Sequence, residues 1–203
     1  MKLYHCTGSR STRVLWLLEE LGLDYEVEVL PFDPKALRSD DFLQLHPFGK
    51  VPVLVDDTVT LFDSVAIIQY LLVHYDEANR FHPSHESPHY GEFLSWLHFG
   101  ESTLMQPVSQ IAQHLFLLPE AERSKERLEE GKRIFEHYAK ILEAKLTGKE
   151  YLVGNQFTAA DIVVGYTVNA ADQLGALPQE CEALRAYIER LKQRPAFQKA
   201  LST

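Results

Sequence analysis

The chain has little of what several protein classes require. It contains two cysteines, Cys6 and Cys181, which lie too far apart for a metal-binding or redox spacing. This cysteine usage is typical of a reducing setting. No apolar run approaches the roughly 20 residues of a membrane-spanning helix, and the first residues are too polar for a signal peptide. We therefore expect a cytoplasmic protein without a metal centre or a membrane span.

Basic residues are also in the minority. Lysine and arginine together number 20, against 29 aspartates and glutamates, so the formal net charge is −9. Phosphate contacts need a basic protein face, and anionic lipid surfaces attract basic segments. The charge balance therefore argues against nucleic acid and against a membrane surface as partners. An apolar fraction of 45% indicates a globular chain with a substantial core.

The first third of the chain alternates between strand and helix patterns. Residues 2–6 and 26–30 alternate polar with apolar side chains, as half-buried strands do, and a helical spacing between them ends at Gly22. A short helix over 38–45, a hairpin with strands over 51–55 and 59–62, and a helix over 64–75 follow. The order predicts an α/β domain: a small mixed sheet with helices packed on it.

From residue 77 onward the strand patterns disappear. Prolines and short polar residues predict a linker over 77–87, followed by helices over 92–105, 120–146, 159–174 and 180–193. The predicted domains are therefore 1–76 and an all-helical domain over 88–203. Thr158 and Asp161 fit the two ends of a capping box, so we expect a structural role for Asp161 rather than a catalytic one.

The most informative segment is LHPFGKVPVL, from Leu45 to Leu54. Pro52 stands at the start of a predicted strand, where its missing N–H costs no sheet hydrogen bond. A cis Val51–Pro52 bond there would expose the main-chain groups of Val51 to a partner outside the sheet. An extended peptide could then pair with Val51 like an added strand.

A second informative segment places Asp63 and Ser64 at the start of an apolar helix. Helix N-termini hold carboxylates well, because their free N–H groups and the helix dipole both attract anions. Ser64 would bind a carboxylate through its hydroxyl and its N–H, and Asp63 would bind an amino group. A plain N-cap is the alternative role of Ser64. Together with Val51, these residues suit an extended peptide with a free amino-acid head, and glutathione has that shape.

Four segments, in this order, resemble the cytosolic glutathione S-transferases over nearly the whole chain. They are GSRSTRVLW at 8–16, GKVPVL at 49–54, DSVAI at 63–67 and FTAAD at 157–161. The resemblance implies a thioredoxin-like N-terminal domain, a helical bundle as C-terminal domain, and glutathione as co-substrate. It also implies a homodimer with one active site per subunit at the domain boundary. Residues 9–20 are most similar to bacterial and fungal members of the serine-using branch.

The sequence departs from the family pattern at two positions. Asp63 stands where the family more often has glutamate, which is one methylene longer. Arg10 stands where the bacterial beta class places a catalytic cysteine, so we do not expect the beta-class mechanism here. Arg10 is either a source of positive potential near the sulfur or a solvated loop residue.

The family's chemistry requires glutathione to be held as a thiolate. A free thiol has a pKa of about 8.5, and lowering it by about two units takes about 2.7 kcal/mol of preference for the anion. A hydroxyl that donates to the sulfur, together with a helix N-terminus, can supply this. Ser9 is the predicted hydroxyl, since it lies four residues before Arg13 as in serine-type relatives. Ser11 is the rival, with helix N-cap as its alternative role.

The remaining predictions concern the glycyl end of glutathione, the two cysteines and the pocket for the acceptor substrate. Lys50 is expected either to reach the glycyl carboxylate of glutathione or to be a solvated surface residue, and His46 is expected to occupy a loop position. Neither cysteine is expected to react. The acceptor pocket for a small electrophile is predicted at Trp96, Phe99, Thr103 and Leu104, with packing in the helical core as the alternative role of these residues.

Glutathione transfer is the predicted activity, and two other functions stay open. The same thiolate serves glutathione-dependent peroxide reduction, isomerisation or dehalogenation. A non-catalytic binding or regulatory module of the same fold is the third possibility. Such modules typically lose the glutathione-site residues, whereas this chain keeps Ser9, Pro52, Asp63 and Ser64.

Overall fold

The computed structural model describes residues 1–203, except for the side chain of Pro34, and its contacts divide the chain into two units. The first unit comprises Met1–Phe81 and Lys192–Thr203, and the second comprises His82–Leu191. Among the described residues, no helix combines the length and the apolar composition that crossing a bilayer requires.

The first unit is a mixed sheet of four strands with helices. Its elements are β1 (Lys2–His5), α1 (Ser11–Leu21), β2 (Glu26–Val29), α2 (Pro34–Leu37), α3 (Asp40–Leu45), β3 (Val53–Asp56), β4 (Val59–Phe62) and α4 (Ser64–Tyr75). The strand order is β2-β1-β3-β4, with β1 parallel to β2 and the other pairs antiparallel. The predicted sheet and its order of elements are confirmed.

The register of β3 brings three chain segments to one edge of the sheet. Val53 is paired with Tyr4 of β1 on one side and with Phe62 of β4 on the other. Because β3 is antiparallel to both neighbours, its start lies beside the ends of β1 and β4. The segments that carry Ser9, Val51 and Asp63 therefore leave the sheet at the same edge.

Helix boundaries in this unit follow from local capping. Helix α1 ends at Gly22, whose φ of 69° lies in the left-handed region that glycine adopts without cost. The short helix predicted over 38–45 is confirmed as α3, which begins at Asp40, and a second short helix that was not predicted, α2, precedes it. Pro34 is the first residue of α2, and Ser39 then starts α3 by accepting the N–H of Phe42 at 3.4 Å.

The second unit is helical, as predicted. It contains α5 (Tyr90–Phe99), α6 (Met105–Ala112), α7 (Lys125–Leu146), α8 (Ala159–Gln173) and most of α9 (Glu182–Lys192). The predicted end of a helix at residue 105 is wrong, since helical turns continue to Leu117 through two π-helical stretches, Gly100–Leu104 and Gln113–Leu117. Gly100 is needed here, because a Cβ at this position would lie 2.8 Å from Val163 Cγ1.

The predicted capping box at the start of α8 is confirmed. The carboxylate of Asp161 accepts the N–H of Thr158 at 2.8 Å, and the side chain of Thr158 accepts the N–H of Asp161 in return. The same carboxylate accepts the N–H of Leu152 at 3.1 Å and the hydroxyl of Tyr187 at 3.1 Å. Burial raises the pKa of Asp161 to about 6. This side chain therefore holds three segments of the second unit together.

A last helix, α10 (Pro195–Ser202), belongs to the first unit and packs on α1. The rings of Trp16 and Phe197 stack with centroids 3.8 Å apart. Arg194 binds both carboxylate oxygens of Glu20, at 2.6 and 2.7 Å. This helix was not predicted from the sequence, and its residues fell in the range 88–203 predicted for the helical domain. The predicted domain boundaries themselves stay a prediction.

Candidate active site

The loop between β1 and α1 presents Ser9 at the sheet edge. The N–H of Ser9 donates to the carbonyl of Cys6 at 3.1 Å, and the preceding Gly8 has a φ of 74° that permits the tight turn. Ser9 is half-buried, whereas Ser11 is fully buried. Of the two predicted hydroxyls, only that of Ser9 belongs to a side chain that is open to a ligand in this structure.

Ser11 is the first residue of α1 and not its N-cap, which is Arg10. The N-cap role considered for Ser11 is therefore wrong. Its hydroxyl lies 2.7 Å from Ser9 Oγ and 2.8 Å from Nδ1 of His5. Arg10 is half-buried and provides no side-chain cap to α1. Ser11 thus connects Ser9 to a buried histidine of the sheet.

Asp63 is the N-cap of α4. Its Oδ1 accepts the N–H groups of Val65 at 2.9 Å and Ala66 at 3.0 Å. Its φ of 72° and ψ of 120° lie in a region that non-glycine residues rarely adopt, as is common at ligand sites. The side chain is exposed. Because Asp63 caps the helix, the N-cap alternative for Ser64 is wrong.

Ser64 is buried at the first position of α4, where its Oγ accepts a hydrogen bond from Nη1 of Arg13 at 3.2 Å. Arg13 is itself fully buried in the first turn of α1. This contact joins the N-terminal ends of α1 and α4. Both helix dipoles and the guanidinium then act in the same region, which makes it favourable for anions.

Val51 and Pro52, immediately before β3, form the third chain segment at this edge of the sheet. The Val51–Pro52 peptide bond is cis, as predicted. Pro52 is buried, β3 begins only at Val53, and half-buried Val51 therefore lies outside the strand. The adjacent Lys50 is exposed. Gly49 has a φ of 59°, and a Cβ there would lie 2.5 Å from the carbonyl oxygen of Leu37, so only glycine fits.

His46 caps the C-terminal end of α3 and shapes the loop before Val51. Its Nδ1 accepts the N–H of Phe48 at 3.2 Å, and its ring lies 4.8 Å from that of Phe62. Burial and the nearby charge of Lys50 lower the pKa of His46. The ring is therefore neutral near pH 7, and its role in this structure is to hold the loop.

The two cysteines are buried and are not activated. Cys6 Sγ lies 3.8 Å from the carbonyl oxygen of Pro31, and burial raises the pKa of its thiol. Burial also raises the pKa of Cys181. Thiolate chemistry by the protein itself is disfavoured at both positions. Within the described part of the chain, no group of three or more His, Cys, Asp or Glu side chains is placed to hold a metal ion.

The predicted acceptor residues lie in the second unit and differ in exposure. Trp96 and Phe99 are half-buried and pack edge to face, with centroids 5.4 Å apart. Leu104 is fully buried in the core. Thr103 lines a cavity of about 460 Å³ between the helical turns around α6 and helix α7. The other lining residues are mainly polar: Ser102, Gln106, Pro107, Ser109, Gln110, Gln113, His114, Arg127, Ile134 and Tyr138.

Two buried polar side chains that contact the candidate site residues, His5 and Arg13, were not predicted from the sequence. A signal existed for His5, since the alternation of β1 puts it on the same buried face as Leu3, where a polar residue is unusual. Arg13 carried no comparable signal, because arginine is rarely fully buried and the residue pattern of α1 does not reveal its contact with α4.

Comparison with known proteins identifies the family. The family models for the N-terminal and C-terminal domains of glutathione S-transferase match residues 1–73 and 104–195. The chain is 32% identical to glutathione S-transferase 3 of Zea mays, over 100% of this chain and 93% of the relative. It is 30% identical to glutathione S-transferase 3 of Schizosaccharomyces pombe, over 96% and 84%.

A solved structure agrees with this assignment. The glutathione transferase homolog from Lodderomyces elongisporus, determined with two GSH per subunit, superposes with a TM-score of 0.89 at 25% identity, covering 99% of this chain and 97% of that one. The chain belongs to the glutathione S-transferase family. The predicted family and fold, a thioredoxin-like domain and a helical domain, are confirmed.

Proposed function

We propose that the protein is a serine-type glutathione transferase. The sulfur of glutathione, held as a thiolate, attacks an electrophilic carbon of a small acceptor and forms a carbon–sulfur bond. The leaving group departs with the electron pair of its bond, and the thiol proton has passed to solvent beforehand. Ser9 keeps its own proton throughout and stabilises the sulfur anion by donating to it.

One observation carries this proposal: a single sheet edge combines the Ser9 hydroxyl with two helix N-termini that are joined by the Arg13–Ser64 hydrogen bond. Bound glutathione carries negative charge at its sulfur, when ionised, and at its two carboxylates. Helix N-termini and a buried guanidinium stabilise such charges. The thiolate and the γ-glutamyl carboxylate of glutathione lie a few bonds apart, so one can be stabilised near the N-terminus of α1 and the other near the N-terminus of α4.

Each part of glutathione has a partner at this edge. The γ-glutamyl carboxylate binds Ser64. The α-amino group binds Oδ2 of Asp63, since Oδ1 accepts the N–H groups that cap α4. The main chain of the cysteinyl residue pairs with Val51, beside Pro52. Lys50 meets the glycyl carboxylate, and Arg10 adds positive potential near the sulfur. Ser9 is then the one catalytic residue, and the others bind.

The energetic demand is modest for such a site. If the thiol pKa falls from about 8.5 to about 6.5, the thiolate must be favoured by about 2.7 kcal/mol. One charge-assisted hydrogen bond contributes about 1.5–3 kcal/mol, and a helix N-terminus adds about 0.3–1 kcal/mol. The two sources together meet the demand without ionising Ser9.

The protein is proposed to act as a homodimer in the cytoplasm. Phe48 and Phe62 contact each other, with centroids 6.3 Å apart, yet they are 67% and 42% exposed. Together with His46 they form an exposed aromatic patch, and such patches mark interaction surfaces. A second copy of the chain is the proposed partner for this patch. Two buried free cysteines suit a reducing compartment.

The electrophile is proposed to contact the second unit near Trp96, Phe99 and Thr103, whereas Leu104, which is fully buried, can only support these residues from behind. No observation favours peroxide reduction, isomerisation or a non-catalytic role over conjugation. The test is titration calorimetry with glutathione, followed by turnover assays with an activated aryl halide, an organic hydroperoxide and an isomerisable substrate. We expect glutathione binding and conjugation of the aryl halide. Binding without turnover of any of the three would contradict the proposal and favour a regulatory module.

A further inference from the structure

A chain of three side chains runs from the buried face of the sheet to the proposed thiol site. Nδ1 of His5 lies 2.8 Å from Ser11 Oγ, which lies 2.7 Å from Ser9 Oγ. His5 and Ser11 are fully buried, and Ser9 is half-buried. The proposed function uses only the last member of this chain.

The hydrogen-bonding capacity of Ser11 limits how the chain can be arranged. A hydroxyl has one proton and two lone pairs. The N–H of Cys6 donates to Ser11 Oγ at 3.2 Å and so occupies one lone pair. One lone pair and one proton are left for His5 and Ser9, since the carbonyl of Cys6, at 3.3 Å, is farther away than either. His5 therefore decides which way the Ser11 proton points.

The two tautomers of His5 give opposite arrangements. With the proton on Nδ1, His5 donates to Ser11, and Ser11 donates to Ser9. Ser9 Oγ then accepts both that hydroxyl and the N–H of Ser11, at 3.3 Å, and its own proton is available to a ligand. With the proton on Nε2, Ser11 donates to His5 and accepts from Ser9, so the Ser9 proton turns away from the ligand.

Burial favours the first tautomer. Nε2 of His5 is buried and has no hydrogen-bond partner among the described residues. A proton on Nε2 would be a buried donor without an acceptor, and orphaned buried N–H groups are rare in folded proteins. A proton on Nδ1 leaves only an unused lone pair at Nε2. Burial also lowers the pKa of His5 to about 4, so the ring is neutral at pH 7.

We propose that His5 is a positioning residue for thiolate formation: as the Nδ1–H tautomer it directs the hydrogen bonds of Ser11 and Ser9 so that the Ser9 proton points at the glutathione sulfur. This inference rests on the proposed role of Ser9. No proton moves along the chain, and no bond to the substrate involves His5. Because the Ser9 proton already points at the sulfur, no hydroxyl has to rotate when the thiolate forms. The successive hydrogen bonds also polarise and so strengthen one another.

The first test measures the tautomer directly in the wild-type enzyme with glutathione bound. The ¹⁵N chemical shifts of the His5 ring distinguish a protonated Nδ1 from a protonated Nε2, and a His5→Asn spectrum assigns the signal. We expect Nδ1 to carry the proton. A proton on Nε2 overturns the inference, and this result does not depend on whether any variant folds.

The second test follows the thiol of bound glutathione through the pH dependence of its thiolate absorbance in the ultraviolet. His5→Phe removes the donor, and we expect the thiol pKa to rise by about one pH unit and kcat/KM to fall about threefold at pH 7 and about tenfold well below the thiol pKa, with little change in KM for glutathione. His5→Asn offers an amide N–H near the Nδ1 position and is expected to restore the wild-type pKa largely. His74→Phe, an exposed substitution on α4, is the matched control and should change neither quantity.

Comparison with Ser9→Ala separates the two proposals. If Ser9→Ala raises the thiol pKa and His5→Phe leaves it unchanged, the role of His5 is overturned and that of Ser9 stands. If neither variant changes the thiol pKa, the proposed contact of Ser9 with the sulfur fails as well. An Asn variant that behaves like the Phe variant also contradicts the inference, because it indicates that the shape of the ring matters and not its donor.

Discussion

Nη1 of Arg13 donates to Oγ of Ser64 across 3.2 Å, and both side chains are buried where the first turns of α1 and α4 meet. Because the hydroxyl of Ser64 accepts from a permanently charged donor, its own proton is available to an anionic ligand. The contact links the helix that follows Ser9 to the helix that begins the proposed γ-glutamyl site. The proposed sites of carboxylate binding and thiol activation are thus linked by one buried hydrogen bond.

The first prediction concerns Ser64. Ser64→Ala removes the donor to the γ-glutamyl carboxylate and takes an acceptor from Arg13. We expect KM for glutathione to rise about tenfold or more, because a hydrogen bond to a charged group is worth about 1.5–3 kcal/mol. Ser64→Thr keeps a hydroxyl and is the control, with a smaller loss. Equal steady-state kinetics for the Ala variant and the wild type would remove Ser64 from the site.

The second prediction separates the two tasks of Asp63. Asparagine caps helices as well as aspartate does, so Asp63→Asn should keep the melting temperature while losing the charge that faces the α-amino group. We expect glutathione affinity to fall about tenfold, measured by calorimetry. Asp63→Ala should lose affinity and, in addition, about 1 kcal/mol of stability. An Asn variant with unchanged affinity would assign Asp63 to helix capping alone.

The third prediction concerns the aromatic patch of His46, Phe48 and Phe62. Phe48→Ser should weaken the homodimer, since the side chain is 67% exposed and its burial in a dimer would be favourable. Phe32→Ser is the matched control, because Phe32 is 62% exposed in the same unit but outside the patch. Sedimentation velocity at micromolar concentration measures both. A wild-type monomer, or equal effects of the two substitutions, would contradict the proposed interface.

The fourth prediction concerns pH and stability at Asp161. Its pKa of about 6 in the folded protein exceeds the value of about 3.9 in an unfolded chain, so folding favours the protonated form. The contribution is complete below about pH 4 and is lost as the pH rises to about 6, a change of about 3 kcal/mol.

Urea unfolding of the wild type and of Asp161→Asn at several pH values tests this. The variant lacks the titrating group, so the stability advantage of the wild type should shrink between pH 4 and pH 7, in the window given by the folded pKa of about 6. The two proteins should be compared at the same concentration, since dimer formation adds to the measured stability. A difference that does not vary with pH would mean that Asp161 ionises normally in the fold.

The features that the sequence predicted correctly depend on local chemistry. The limits of α4, the cis bond before Pro52 and the capping box at Thr158 follow from a few adjacent residues. The family resemblance rested on the same kind of short segment. Helix α10 was missed because its position depends on the stack of Phe197 with Trp16, which is far away in the chain. No local pattern encodes that contact.

The site was predicted in part for the same reason. Ser9, Asp63 and Ser64 stand at recognisable loop and helix starts, whereas the choice between Ser9 and Ser11 depends on burial, which only the fold determines. His5 and Arg13 act as buried polar residues, and their partners come from tertiary contacts. The sequence therefore indicated the candidate ligand-binding groups, whereas the buried side chains that contact them became visible only in the fold.

The central claim is that the Ser9 hydroxyl stabilises the thiolate of bound glutathione, and the pKa of that thiol in Ser9→Ala tests it most directly. We expect the pKa to rise toward the value of free thiols, about 8.5, while the dissociation constant for glutathione stays within about threefold of the wild type. Conjugation at neutral pH should fall accordingly. A Ser9→Ala enzyme that keeps the wild-type thiol pKa and full activity, beside a Ser11→Ala enzyme that loses both, would contradict the account.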